Sequence, residues 1–488
     1  MLLACANLAI ANTGGRMTPS AFSGPHRKWW TLAAVSFGLF MIMLDNTVVN
    51  VALPSIQRDL GVSLSELEWV VTGYALTFAA LMLVGGKLAD AYGRRRLFVT
   101  GMVVFAVASL GCGLAWSGGA LIGARVLQGV GAAMMSPATL SIIAATFPPR
   151  QRGTAIGIWA GVSALALAVG PLAGGLLTDH LSWHWIFFIN LPVAAVGVLA
   201  AFLLIDESSD PTHESLDLPG LATSSLALFS LTFALIEANR YGWSSALIVA
   251  SFAVAAVALA AFVVLERRRR APMLDLTLFR SGTFVGANFA VFLIALAMFG
   301  VFFFVSLYLQ NVLGYSAVEA GATFLPMTIL IVVSAPLAGR VADRIGSRWL
   351  VTGGMLLMVA HLLLFAQLGA EESFWSILPA LLVGGVGMAG VMTPSSAAAM
   401  KAVPVEKAGV GSAVLNAHRQ VGGAFGIALM GAIVASQADG TRSVPAFLDG
   451  LHLALTVSAA IAFGGAVVAA TLLRADGSGL EGAQRAER

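Results

Sequence analysis

The chain has 488 residues, of which 58% are hydrophobic and 10% charged, and its mean hydropathy is +0.89. Soluble domains carry roughly 25% charged residues, so a soluble globular fold is excluded. A net charge of +3 argues against a nucleic-acid partner, and two cysteines, Cys5 and Cys112, are too few for a disulfide framework or a metal cluster.

Apolar windows of about 20 residues, each long enough to cross a bilayer, recur from Trp29 to Leu473. In chain order they cover 29–53, 67–89, 97–116, 119–145, 154–177, 183–205, 217–237, 244–265, 283–309, 319–339, 349–369, 374–400, 409–436 and 447–473. They are continuous runs rather than strands of alternating polarity, which excludes a transmembrane barrel. The expected fold is all-α and integral to the membrane, with about fourteen transmembrane helices.

Charge placement orients the spans. If the N-terminus is cytoplasmic, 22 of the 27 Lys and Arg residues fall on the cytoplasmic side, including Arg94–Arg96 and Arg267–Arg270. Three, Arg58, Arg240 and Arg442, fall outside, while Arg125 and Arg419 lie within helices. This is the positive-inside pattern, and it places both termini in the cytoplasm. The Met1–Ala11 stretch is apolar but lacks a basic start, so it is a poor signal peptide, and Met17 is an alternative start.

The chain also repeats itself at an offset of about 256 residues, as transporter folds do. Gly86, Asp90, Gly93 and Arg95 match Gly339, Asp343, Gly346 and Arg348. Gly129, Gly131 and Pro137 match Gly385, Gly387 and Pro394, and Pro148 and Gly153 match Pro404 and Gly409. The expected organisation is a cytoplasmic tail (1–28), a six-helix bundle (29–205), two inserted helices with flanking cytoplasmic loops (206–282), a second six-helix bundle (283–473) and a cytoplasmic tail (474–488).

Asp45 stands out chemically. An Asp at the centre of a membrane helix costs roughly 2.5–3.5 kcal/mol on insertion scales, so it marks function by default. Arg125 is the other ionisable group deep in the first bundle. A nearby guanidinium favours the carboxylate while burial favours the acid, and such opposed terms let small movements load or release a proton. Asp45 is therefore the expected proton carrier and Arg125 its tuner. The bland readings are an architectural ion pair, and an Arg125 that serves as a post for backbone carbonyls. Asn50, Tyr74, Gln128 and Asn416, with Met41, Trp159 and Phe303, are candidates for lining a substrate cavity. Phe299, Phe302, Phe304 and Tyr308 read as lipid-facing or packing surface, Glu237 as an interfacial residue, and His361 and His418 as structural histidines.

Several of these segments resemble a known family. Leu44-Asp45 through Asn50 to Pro54 is similar to the helix 1 signature of fourteen-helix drug:proton antiporters (EmrB/QacA type) of the major facilitator superfamily. Gly86, Asp90, Gly93, Arg94 and Arg95 resemble the superfamily's loop 2–3 motif, and Arg125, Gln128 and Gly129 its helix 4 motif. Gly170, Pro171, Gly174 and Gly175 resemble the antiporter motif of helix 5. Trp183 to Pro192 and Asn416-Ala-His-Arg419 through Gly423 also look like this family. Three positions depart from its pattern: Ala91 where a basic residue is usual, Ala166 where Gly is usual, and His184 in place of Arg.

The resemblance implies a proton-coupled exporter of amphipathic, lipophilic or cationic drugs or toxic amphiphiles across the bacterial inner membrane. Substrates, protons and the lipid bilayer are its partners, with no cofactor and no nucleic acid, and an envelope adaptor protein is left open. It implies that Asp90 latches onto the first turn of helix 13, near Gly409, when the protein is open outward. By the repeat, Asp343 faces helix 5 near Gly153. Gly170, Pro171, Gly174, Gly175 and Arg419 belong to the gating motifs. The chain lacks a Walker phosphate loop, and no nucleophile constellation appears, so neither an ATPase nor another enzyme is expected. The rivals are a proton symporter or an exporter of one metabolite, and a non-transporting membrane sensor.

Overall fold

The computed structural model describes residues 26–209, 217–269, 272, 274, 276–403, 408–437 and 443–473. Among them are 14 helices long and apolar enough to span a membrane. They are α1 (Arg27–Leu60), α2 (Leu64–Tyr92), α3 (Arg94–Gly113), α4 (Gly118–Thr146), α5 (Pro149–His180), α6 (Trp185–Phe188 and Asn190–Leu204) and α7 (Leu218–Tyr241). There follow α8 (Ala246–Arg268), α9 (Gly282–Asn311), α10 (Ala317–Thr323 and Leu325–Ile345), α11 (Ser347–Phe365), α12 (Phe374–Lys401), α13 (Ala408–Gln437) and α14 (Val444–Leu472). Expectations placed on Cys5, on most of the acidic loop, on Arg270, Lys407 and Arg442 and on both tails lie outside the described residues.

Local chemistry sets the helix ends. Ser63 with Glu66 and Ser316 with Glu319 form capping boxes that start α2 and α10, each satisfying otherwise orphaned backbone donors. The tight turns α2–α3 and α10–α11 both pivot on a glycine with positive φ, Gly93 at 108° and Gly346 at 85°. These two glycines are partners in the sequence repeat. The expected unbroken helices at 183–205 and 319–339 are instead interrupted at Ile189 and Phe324. Pro192 and Pro326 follow closely, and a proline supplies no N–H to the preceding turn.

Packing follows the repeat as well. Within α1–α6, α4 lies between α2 and α3, and α1 packs on α5 and α6; α12, α10, α11, α9, α13 and α14 repeat that arrangement. The inserted α7 and α8 pack on each other; α7 also touches α2 and α13, and α8 reaches α2 where Phe262 meets Val84. The first six helices and the last six meet chiefly along α2 with α13, α5 with α10, and α1 with α9, with smaller contacts of α4 with α13 and α1 with α10.

An even number of spans puts the start of α1 and the end of α14 on one face, called here the terminal face; the other is the distal face. The closest contacts between the two sets crowd toward the distal face. Gln310 Nε2 donates to Val51 O at 2.8 Å. Asp179 at the end of α5 accepts from the backbone N–H groups of Ala317 (3.2 Å) and Val318 (2.8 Å), which open α10. A Cβ placed on Gly175 would fall on the Ala317 backbone, and one on Gly321 on the Pro171 backbone. Nearer the terminal face the corresponding close contacts run within each set, Gly86 to Pro137 and Gly339 to Thr393. Among the described residues, the close contacts across the seam gather at the distal face and thin out toward the terminal face.

Candidate functional site

Asp45 lies in α1 with no exposure, and Arg125 in α4 is 1% exposed. The two form an ion pair, Arg125 Nη1 to Asp45 Oδ2. The other carboxylate oxygen accepts from Gln128 Nε2 at 2.8 Å and from Asn190 Nδ2 at 3.1 Å. Arg125 Nη1 also donates to Gln128 Oε1 at 2.6 Å, and its Nε to Val70 O at 3.0 Å. Ser109 Oγ closes the network by accepting from Gln128 (2.9 Å) and Asn190 (3.2 Å). The guanidinium stacks 4.3 Å from the Tyr74 ring centroid, with Phe187 5.8 Å away.

Five of the first six helices thus meet at one carboxylate. Taking two charges out of water costs several kcal/mol per ion and is repaid only by good geometry and extra hydrogen bonds. Three donors on the carboxylate, and a carbonyl and an aromatic face on the guanidinium, supply them. The break at Ile189 places Asn190 at the start of the longer piece of α6, from which its amide reaches Asp45.

The sixth helix, α5, contributes shape. A Cβ on Gly170 would overlap Thr47 Oγ1, and one on Gly174 would fall on the backbone of Val48. The two glycines bring α5 onto α1 within one turn of Asp45. Gly175 and Pro171, on the other side, press against α10. The Gly-Pro motif is therefore clamped between the carboxylate's own helix and the last six helices.

Arg419 approaches from α13. Its Nη2 lies 3.9 Å from Met43 Sδ, and it is close enough to Tyr74 to act on it electrostatically. Among the described residues no carboxylate pairs with Arg419. Tyr74, whose hydroxyl has no hydrogen-bond partner, touches the Arg125 pair and feels Arg419.

The structure places the remaining candidates as follows. Gly129 lets α4 approach α2 at Tyr74 and Thr77. Asp90 pairs with Arg94 at 2.8 Å within its own turn, while the surroundings of Lys407 and Gly409 at the start of α13 lie outside the described residues. The start of α3 is capped by Glu207, whose carboxylate accepts from the N–H groups of Arg95 (3.1 Å) and Arg96 (3.2 Å). Asp343 sits near the end of α10; its side chain, and the surroundings of Gly153 and Gly409, lie outside the described residues.

Most of the candidates for lining a substrate cavity are packed among helices in this state. Met41, Asn50, Tyr74, Gln128 and Phe303 are buried in helix packing, Phe303 with its ring centroid 4.8 Å from that of Phe304. Trp159 and Asn416 keep partial exposure, and each is tied within its own set, to Thr139 Oγ1 (3.0 Å) and Ser412 O (3.1 Å). Asp45 and Arg125 likewise do not border open space: five helices close around them. Tyr308 and Phe304 are core rather than lipid-facing, because α9 packs on α1, α12, α13 and α14. Glu237 is buried against Trp69, which donates to it at 3.2 Å. His361 is held by Ala380 O at 2.6 Å and His418 by Val414 O at 2.8 Å, both structural roles.

Sequence reasoning passed over Ser109, Asn190, Phe187 and Glu207. Asn190 and Ser109 carry a signal, a polar side chain inside an apolar helix, but a weak one that many packing residues share.

Comparison with known proteins places the chain. The family model described as Major Facilitator Superfamily matches residues 35–427. The puromycin resistance protein pur8 of Streptomyces alboniger is 39% identical over 464 residues, covering 93% of this chain and 92% of that one. The multidrug resistance protein Stp of Mycobacterium tuberculosis is 37% identical, covering 85% and 78%. Among solved structures, a bacterial homologue of the human lysosomal transporter Spinster, inward-facing and unoccupied, superposes with a TM-score of 0.64 at 18% identity, covering 93% and 98%. At that identity the likeness shows the fold alone.

Proposed function

We propose that this chain, which belongs to the Major Facilitator Superfamily, is a proton-coupled multidrug antiporter that exports amphipathic, lipophilic or cationic compounds by alternating access. The observation that carries the reading is the sealed Asp45–Arg125 pair. Deprotonated, Asp45 holds Arg125, Gln128 and Asn190 together and so binds α1 to α4 and α6. A proton on Asp45 removes the ionic part of that bond and releases the guanidinium, so α1 is free to shift. Because α1 is locked to α5 at Gly174, and α5 to α10 at Gly175 and Gly321, a shift of α1 moves the seam.

The division into bundles 29–205 and 283–473, with 206–282 between them, makes the two bundles the rocking bodies. The concentration of Lys and Arg at the terminal face makes that face cytoplasmic, with both chain ends inside and the present state open inward. Moving one charge through 100 mV yields about 2.3 kcal/mol, enough to drive export against a modest gradient. An open groove of about 450 Å³ between α1 and α5, lined by Trp29, Leu32, Ser36, Phe37, Phe40 and Ile158 among others, is apolar enough to take a lipophilic compound or a lipid chain. The relatives' names point the same way, toward puromycin and multiple drugs.

A second reading, export of one metabolite bearing an acidic group, is favoured by Arg419, a guanidinium from α13 without a carboxylate partner among the described residues. Inverted vesicles with an imposed pH gradient separate the two. Gradient-dependent uptake of puromycin and cationic dyes supports the drug reading. Uptake of anionic compounds alone favours the second, and no gradient-dependent uptake of any compound contradicts both.

A further inference from the structure

Two carboxylates lie buried at the distal end of the seam, outside the Asp45 hydrogen-bond network, near the start of α2 and the end of α7. Glu68 of α2 is 2% exposed and Glu237 of α7 is 6% exposed. They meet where α2, the inserted α7 and α13 come together. Glu237 Oε1 accepts from Trp69 Nε1, and its other oxygen is 3.7 Å from Arg240 Nη1. Glu68 is poorer in partners. Its Oε2 has no hydrogen-bond partner, although the side chain lines a distal cleft of about 520 Å³ together with Ser63, Asn239 and Arg240. A Cβ on Gly431 would fall directly on the Glu68 carboxylate, so the α13 backbone presses against it with nothing to offer but apolar surface.

The groups facing Glu68 are few. From α13 they are Gly431 and Ala435, neither titratable; from α7, Glu237 and Arg240; from α2 itself, Glu66, which is occupied in its capping box with Ser63. The cation within reach is Arg240, it sits beside Glu237, and its side chain is 64% exposed. An ionised Glu68 would thus be a buried anion next to a second carboxylate, a state that burial and like charge both disfavour. A protonated Glu68 removes both the desolvation cost and the repulsion. Metal binding fits poorly, since no group of three or more His, Cys, Asp or Glu that could hold an ion occurs among the described residues.

We propose that Glu68 is a second protonation site, distinct from Asp45, whose proton is required for the distal seam between α2 and α13 to close. When the seam opens, α13 leaves Glu68, the carboxylate faces distal solvent and its proton departs. When distal protons are abundant it is loaded again and α13 can return. The proton enters and leaves on the same side, so Glu68 adds nothing to the transport stoichiometry; it makes distal closure depend on distal pH. Glu237 strengthens this dependence by its like charge. The sign is that closure is favoured at low pH and lost as pH rises. The idea rests on alternating access but not on the identity of the substrate or on Asp45 as carrier.

Spin labels at Arg58→Cys on α1 and Gln437→Cys on α13, in protein with Cys5 replaced, report the distal distance without any transported compound. In the otherwise unchanged protein the closed population should fall from about pH 5 to about pH 9, the range that brackets a buried carboxylate. Glu68→Gln, a permanent neutral mimic, should stay closed, with a closed-to-open ratio at least about tenfold higher at the alkaline end, equivalent to one pH unit. Glu237→Gln, which keeps Glu68 but removes the like charge, should retain more of the closed population at the alkaline end than the parent. A pH-independent distal distance in the parent protein, or a Glu68→Gln profile that tracks the parent, overturns the proposal. Loss of drug transport with these distance profiles intact would overturn the drug reading alone.

Discussion

Asp45 is stable in the membrane interior because of its neighbours. Each oxygen is satisfied, and Ser109 anchors the two amides that satisfy one of them. Ser109 thus holds the network together without touching the charge. Ser109→Ala should leave donors of Gln128 and Asn190 with one acceptor fewer and lower stability by about 1–3 kcal/mol. Thermal unfolding in detergent measures it, and an unchanged melting temperature would show that the two amides find other partners. The pair itself was legible in the sequence, since ionisable residues deep in membrane helices are rare and expensive. Val70 O, which anchors Arg125 Nε, was not legible, because a backbone acceptor leaves no trace in residue identity. Arg125 pairs with Asp45 and also holds a carbonyl between helices, the latter as the bland reading has it.

Among the elements, α5 couples the site to the seam. Gly170 faces the tip of a side chain, Thr47 Oγ1, which can rotate; Gly174 faces the backbone of Val48, which cannot. Gly174→Ala should therefore force α5 away from α1 and cost about 1–3 kcal/mol as overpacking, with a matching loss of transport, while Gly170→Ala costs less. Equal effects of the two alanines on melting temperature and transport rate would contradict a seam set by that contact. All fourteen helices were legible as elements from apolar length alone, most boundaries to within a few residues. The breaks at Ile189 and Phe324 were not, because a proline near a helix start and one that interrupts a helix look alike without the neighbouring turn. The Glu207 cap of α3 was equally hidden, since it joins residues more than a hundred apart.

At the scale of the whole molecule, the two six-helix sets share packing but not chemistry. At the offset that carries Gly129 onto Gly385, Asp45 falls on Val301 and Arg125 on Leu381. The repeat supplies two six-helix sets of like packing, and the buried ion pair lies in only one of them. Helix starts serve as contact points between the two sets, where unpaired N–H groups attract a carboxylate. In the present state Asp179 plays that part at α10 on the distal face, while Asp90 is paired locally with Arg94. In the opposite state Asp90 should reach the first turn of α13. Asp179→Asn should then shift the population toward distal-open and Asp90→Asn toward distal-closed, as read by label distances across each face. Identical distributions in both variants would reduce these residues to turn charges.

The central claim is that Asp45 exchanges a proton as substrate moves. In proteoliposomes holding a pH indicator, addition of puromycin to the outside of wild-type protein should drive a counterflow of protons across the membrane. Asp45→Asn keeps an acceptor for Gln128 or Asn190 and leaves Arg125 its bonds to Val70 O and Gln128 Oε1, so the variant should fold and bind. It should show no substrate-dependent proton movement, and its transport should stay at the rate seen without a gradient. Proton counterflow of wild-type size from folded Asp45→Asn protein would contradict the account.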